Sequence, residues 1–180
     1  MRQKFNDLRN RISNGWVVLA VVLVIALICV FSIFDSVAVI GSSMQPNFVG
    51  GEAINGTITV KGDKVIISKI YGIKRGDVIV FYSDELKESL IKRVIGVEGD
   101  TVEIRDNEVY LNGKKLQENY IKEKMHTSNG VWKVGKNQVF VLGDNRNSSV
   151  DSRIFGCIST KSIQGEVVLR VATDGKIYFI

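Results

Sequence analysis

From Ile12 to Phe34 the chain carries no Asp, Glu, Lys, Arg or His, and Trp16 to Phe34 is almost wholly apolar. As a helix rising ~1.5 Å per residue, this stretch crosses most of a ~30 Å hydrocarbon core. Beyond residue 35 the pattern changes to short β-branched or alternating runs. Lys64 to Ile70 and Asp77 to Tyr82 each open on a Gly-Asp pair suited to a turn, and Ser89 to Val97 is a third candidate strand. Val102 and Ile104 alternate, Asp106-Asn107 offers a two-residue turn, and Val109 and Leu111 resume the alternation, which predicts a hairpin. Gln138 to Leu142, Glu166 to Val171 and Lys176 to Ile180 complete the strand set, and no long amphipathic helix follows the apolar segment. Val49 to Thr57, with Gly50, Gly51 and Gly56, and the polar stretch Glu118 to Lys136 read as loops. The expected fold is mainly β: a single N-terminal transmembrane helix followed by a mostly antiparallel β domain.

Composition changes this picture little. A chain of 180 residues with 45% apolar content has room for one anchored domain with a real core. Its net charge of +5 is uneven, because residues 1–14 alone hold +3, from Arg2, Lys4, Arg9 and Arg11 against Asp7. The basic character is thus an N-terminal effect, and no nucleic-acid partner is expected. The basic flank precedes the apolar segment, so the positive-inside rule leaves the N-terminus in the cytoplasm. The expected division is a cytoplasmic basic tail at 1–14, a transmembrane helix at 15–35 and an extracytoplasmic β domain at 36–180, single-pass in the cell membrane. A cleaved secretory signal is the competing reading, since Ser36-Val37-Ala38 has small-x-small spacing. The segment exceeds the ~7–15 apolar residues of a signal core, which favours retention and leaves cleavage after Ala38 as a side reaction. Cys29 in the span and Cys157 in the domain are not expected to pair, and no Cys/His cluster suggests a metal or other cofactor.

The candidate chemistry rests on Gly41-Ser42-Ser43-Met44-Gln45-Pro46 and Ile91-Lys92-Arg93-Val94-Ile95-Gly96. A serine nucleophile needs a base, and the only histidine, His126, lies in a stretch that reads as loop. Lysine is the economical substitute. At its ordinary pKa it is neutral in roughly one molecule in two thousand at pH 7, but burial lowers that pKa by penalising the ammonium form. On a strand, Lys92 shares a face with Leu90 and Val94, while Ile91, Arg93 and Ile95 share the other. The bland alternatives are an edge-strand surface lysine and a serine-rich turn after a membrane span. Against the second stands Pro46, the only proline, whose ring fixes the local backbone.

The run Ser43-Met44-x-Pro46 resembles the nucleophile box of the type I signal peptidases. Arg75 to Phe81, Lys92 to Gly96 with Gly99-Asp100, and Gly143 to Ser149 with Asp151-Ser152-Arg153 and Gly156 are similar to that family's other boxes, in order. The short span between the last two boxes is similar to the compact enzymes of Gram-positive bacteria. The resemblance implies the β fold shared by signal peptidases and self-cleaving SOS repressors. It also implies a membrane-bound serine endopeptidase that removes signal peptides after small residues through a Ser-Lys dyad. Ser43 would be the nucleophile, Lys92 the general base, Ser149 the group that orients the lysine, and the Ser43 backbone N–H part of the oxyanion hole. Asp144, Arg146, Asp151 and Arg153 would pair to fix the last box, and Val39 and Ile91 are candidate walls of the substrate pocket. Implied partners are signal-peptide-bearing preproteins, membrane lipid and nearby export machinery. Gly41 departs from members that carry a hydroxyl residue there, and Val49 to Val60 is longer than the usual link. The alternatives are an inactive homologue serving as an anchored scaffold and a self-cleaving repressor-type protease, the latter disfavoured by the membrane span.

Overall fold

A computed structural model describes residues 2–54, 57–127 and 129–180, with side chains from Gly15 onward. The charged side chains of residues 1–14, together with Gly56 and Ser128 of the expected loops, lie outside the described residues. The chain divides into two compact units, Met1–Asp35 and Ser36–Ile180.

The first unit is helix α1, Arg2–Ile33, so the stretch read as a basic tail is helical from Arg2. Its Gly15–Ile33 part is long and apolar enough to cross a membrane, and protein buries none of it. A helix is the form that satisfies every backbone group within a single apolar segment. Phe34, counted above with the apolar segment, already belongs to strand β1, Phe34–Ala38.

The second unit is built from strands. The region read as loop between residues 49 and 57 contains β2, Glu52–Ile54, which pairs with β3, Thr57–Val60. β4 (Lys64–Ser68), β5 (Val78–Ser83) and β6 (Glu88–Gly96) follow close to expectation. β7 (Thr101–Arg105) and β8 (Glu108–Leu111) form the expected hairpin. Its turn residues Asp106 and Asn107 have φ of 53° and 63°. Positive φ at both central residues matches the twist of the flanking strands. β9 (Lys114–Lys115) extends this sheet, and β10 (Gly130–Lys133) pairs with β7 from within the polar stretch expected to be loop. β11 (Gln138–Leu142), a short helix α2 (Ser152–Phe155), β12 (Ile158–Ser159), β13 (Ile163–Val171) and β14 (Ile177–Phe179) complete the chain.

The large sheet runs β1-β4-β13-β5-β6-β11-β12, with β14 added to β13. The registered pairings from β2 to β14 are all antiparallel, as the alternation predicts. β6 is the strand that matters for function. Its first half pairs with β5, placing Lys92 opposite Ile79, and its second half crosses to β11 through a bulge. Ile91 packs on one apolar cluster, with Val39, Met44, Phe48 and Val80. Leu90 and Val94 pack in another, with Ile79 and Phe81. The two faces read from the sequence therefore both meet apolar cores.

Candidate active site

Ser43 is held by its neighbours. Gly41, at φ 79°, turns the chain out of β1, and Met44 and Phe48 are buried in the core beside Val65 and Val80. The buried Met44 side chain plugs the turn into the domain, so the preceding hydroxyl is presented from a fixed backbone. The Met44 carbonyl accepts from the Phe48 N–H at 2.9 Å, and the Ser42 carbonyl accepts from the Gln45 N–H at 3.1 Å. The Gln45–Pro46 peptide is cis.

Lys92 comes from the middle of β6 and is 2% exposed. Its Nζ lies 2.9 Å from the Ser43 Oγ and donates to the Ile91 carbonyl at 2.9 Å. Burial lowers the Lys92 pKa to about 8, against the opposing attraction of Asp151, Glu88 and Asp144 for the ammonium. A neutral amine at this spacing accepts the serine proton instead of donating, which is the step a base must perform. Roughly a tenth of such a lysine is neutral at pH 7, against well under a thousandth for an ordinary one. Activity is therefore expected to rise with pH through about 8, as the ammonium loses its proton. A pH profile of kcat/KM checks this; a rise in the range of an ordinary lysine, or one that vanishes in His126→Ala, would contradict it.

The last box grips both members of the pair. The Asn145 N–H donates to the Ser43 carbonyl at 2.9 Å, and Asn145 Nδ2 donates to the Ser42 carbonyl at 3.0 Å. Asp144, fully buried, accepts from Arg93 Nε at 2.8 Å and Nη2 at 2.7 Å, and from Asn47 Nδ2 at 2.8 Å. Arg93 follows Lys92 on β6, so this ion pair ties the lysine strand to the last box and, through Asn47, to the nucleophile turn. Asp151 accepts from Arg153 Nε and Nη2 at 2.8 Å each and from the Gly143 N–H at 3.1 Å. Within the last box Asp151 pairs with Arg153. Asp144 and Arg146 instead pair outside it, Arg146 with Glu118 at 2.8 and 2.5 Å. Arg75 donates to Asp100 at 2.8 and 2.6 Å, joining the second box to the end of the lysine box.

Ser149 departs from expectation. Its hydroxyl is buried and makes no hydrogen bond among the described residues, and Lys92 Nζ bonds Ser43 and Ile91 instead. It nevertheless lies against the nucleophile turn. A Cβ on Gly143 would come within 2.3 Å of the Ser149 Oγ and 2.7 Å of the Ser43 carbonyl, which is why that position is glycine. No described residue accepts from the Ser43 backbone N–H, which stays available to an incoming oxygen.

Ser43 and Lys92 open into a cleft of about 490 Å³ whose walls include Val39 and Ile91, with Val37, Leu90 and Ala53. His126 is exposed and lines a different hollow, with Arg146 and Ser149. Among the described residues no cluster of His, Cys, Asp and Glu has the makings of a metal site, and both cysteines are free. Sequence reasoning missed Arg93 as a clamp, and also Asn47, Glu118 and Asn145. Arg93 was visible beside Lys92, and Asn145 within the last box. Glu118 lies in a polar stretch whose weak periodicity does not distinguish it.

Residues 12–172 match the family model described as signal peptidase, peptidase S26. The chain is 36% identical to signal peptidase I P of Bacillus subtilis subsp. natto over 160 residues, covering 79% of this chain and 82% of that protein. It is 33% identical to signal peptidase IB of Staphylococcus aureus strain Mu50 over 174 residues, covering 86% and 87%. A crystal structure of a signal peptidase I from Enterococcus faecalis V583 aligns with a TM-score of 0.49 at 35% identity, over 54% of this chain and 97% of that one.

Proposed function

This chain belongs to the signal peptidase family, peptidase S26, and we propose that Ser43 and Lys92 carry the chemistry of its serine endopeptidase activity on signal peptides. The observation that carries this reading is the 2.9 Å contact between Ser43 Oγ and the Nζ of a buried lysine whose pKa is lowered to about 8. Neutral Lys92 takes the serine proton as Oγ adds to the scissile carbonyl. The developing oxyanion lies at the Ser43 backbone N–H, where a preorganised donor acts on charge that exists only transiently. The Lys92 ammonium then gives its proton to the leaving amine, the mature protein departs, and the signal peptide remains as an ester on Ser43. Water, activated by the regenerated lysine, releases it. Ser149 is a positioning residue for the nucleophile turn: its buried hydroxyl packs against Gly143 beside the Ser43 carbonyl.

The preprotein docks as an extended segment in the cleft between Val37 to Ile40 and Glu88 to Lys92, whose apolar walls beside Ser43 receive the small side chains that precede the cut. Ser43 follows Ile33, the end of α1, by ten residues, so even fully extended the chain holds it within about 35 Å of the membrane exit. The basic flank places the N-terminus in the cytoplasm and residues 36–180 outside, at the lipid surface where exported chains leave the export machinery. Full-length enzyme in detergent, incubated with a purified preprotein, should release a mature chain cut after a small residue. An intact preprotein, or a cut elsewhere, would overturn the reading.

Self-cleavage after Ala38 meets an obstacle that the sequence did not reveal. β1 lies in the large sheet, the Val39 N–H donates to the Asp63 carbonyl at 2.8 Å, and the Val39 carbonyl accepts from the Gly51 N–H at 2.9 Å. The bond must peel out of the sheet before it enters another molecule's cleft, and local opening of that kind slows the reaction. Release of a fragment beginning at Val39 should be at least about tenfold slower than preprotein cleavage at equal concentration, and absent in Ser43→Ala. N-terminal sequencing of aged enzyme checks this, and equal rates would mean that β1 is not held.

A further inference from the structure

The hairpin β2–β3 occupies the longer link after the nucleophile box, and its base is bonded to the run that leads into Ser43. The Gly41 N–H donates to the Gly51 carbonyl at 3.0 Å, and the Gly51 N–H donates to the Val39 carbonyl at 2.9 Å. Glycine is required for so close an approach. A Cβ on Gly50 would lie 1.6 Å from the Gly41 carbonyl oxygen, and one on Gly62 would lie 2.4 Å from that of Val39. Buried Asp63 closes the base, accepting from the Val49 N–H and Arg170 Nε at 2.7 Å each. The hairpin beyond this base contributes nothing to the core, since every described residue of β2 and β3 is exposed. One of its side chains has a specific place: Ala53 lines the same cleft as Ser43 and Lys92.

We propose that β2–β3 is an added wall of the substrate cleft and that Ala53 is a specificity-determining position, facing a side chain of the bound preprotein segment. The proposal rests on the function argued above and extends it to a part of the chain with no role there. A rigid base is what such a wall needs, because a wall that moves cannot discriminate by size. Ala53 presents a single methyl group, so the space opposite it accepts a larger substrate side chain than a bulky residue there would allow. The occupant is polypeptide, because this position shares its cavity with the reacting pair.

The test uses the full-length enzyme in detergent and a set of preproteins varied one position at a time around the cut. Two variants are compared with the parent: Ala53→Trp, and replacement of Glu52 to Lys61 by Asn-Gly. The second is geometrically permitted because a Cβ on Gly51 would lie 2.5 Å from the Gly62 nitrogen, so the two ends are already adjacent. The ratio of kcat/KM between large and small side chains at one substrate position should fall about tenfold in Ala53→Trp and flatten in the shortened chain, a difference typical of filling or emptying one pocket. Unchanged ratios, or an equal loss at every position, would overturn the proposal. So would an effect that appears only in anionic vesicles and not in detergent, which would assign the hairpin to lipid. Failure of the parent to cleave any preprotein would instead bring down the function on which the proposal rests.

Discussion

Ser43→Ala and Lys92→Met should each reduce preprotein cleavage by about 10⁴-fold or more, with neither variant unfolding. The two groups act as a unit, so loss of either removes the activated nucleophile. The lysine variant separates catalysis from stability in a way an alanine cannot. The Lys92 pKa is depressed to about 8 by burial, so between that value and the ordinary lysine range the unfolded chain binds the extra proton and stability rises with pH. Below pH 8 the buried ammonium costs the fold on the order of 3 kcal/mol. Methionine fills much the same volume without the charge, so Lys92→Met should melt at or above the parental temperature at neutral pH while remaining inactive. Thermal unfolding followed by circular dichroism, alongside a cleavage assay, checks both halves, and substantial cleavage by either variant would sink the assignment.

The largest stability effect should come from the pair that the sequence did not reveal. Arg146 is fully buried, its guanidinium meets Glu118 at 2.8 and 2.5 Å, and its Nε donates to the Gly143 carbonyl at 3.0 Å. Arg146→Met leaves the nearly buried Glu118 carboxylate without its cation, a loss that costs about 3–5 kcal/mol. For a domain of this size that lowers Tm by roughly 10 °C. The double variant Arg146→Met, Glu118→Leu removes both charges and should recover much of the loss, because the penalty is chiefly that of an unpaired buried charge. Melting temperatures of the single and double variants decide it; a single variant within a degree or two of the parent would mean the pair is solvated.

Local signals are legible in the sequence and non-local ones are not. The hairpin of β7 and β8 was legible because alternation and a two-residue Asp-Asn turn are contained within a short window. Gln138 to Leu142 is legible for the same reason, a buried run bounded by polar positions that coincides with β11. β10 was missed because Gly130, Val131, Trp132 and Lys133 carry no clear period of their own and become a strand by pairing with β7. β2 and β3 were hidden by the glycines around them, which read as loop and serve as the packed base of a hairpin. In the site, Ser43 and Lys92 stood out because each sits in a short motif with a chemical reason. Arg93 with Asp144 and Arg146 with Glu118 join residues distant along the chain, and a charge read alone does not announce its partner. The orientation of Ser149, which faces the nucleophile turn without bonding Lys92, depends on side-chain packing that no pattern encodes.

The central claim is that Lys92 works as a neutral amine beside Ser43, and direct titration tests it most closely. Full-length enzyme in detergent, carrying lysines labelled with ¹³C at the ε-carbon, would be followed by NMR across the pH range, with Lys92→Met identifying the resonance. The account predicts that the Lys92 signal titrates near pH 8, well apart from the exposed lysines, and that its midpoint coincides with the rising limb of kcat/KM. A Lys92 signal that stays cationic up to the ordinary lysine range while the enzyme is fully active would contradict it.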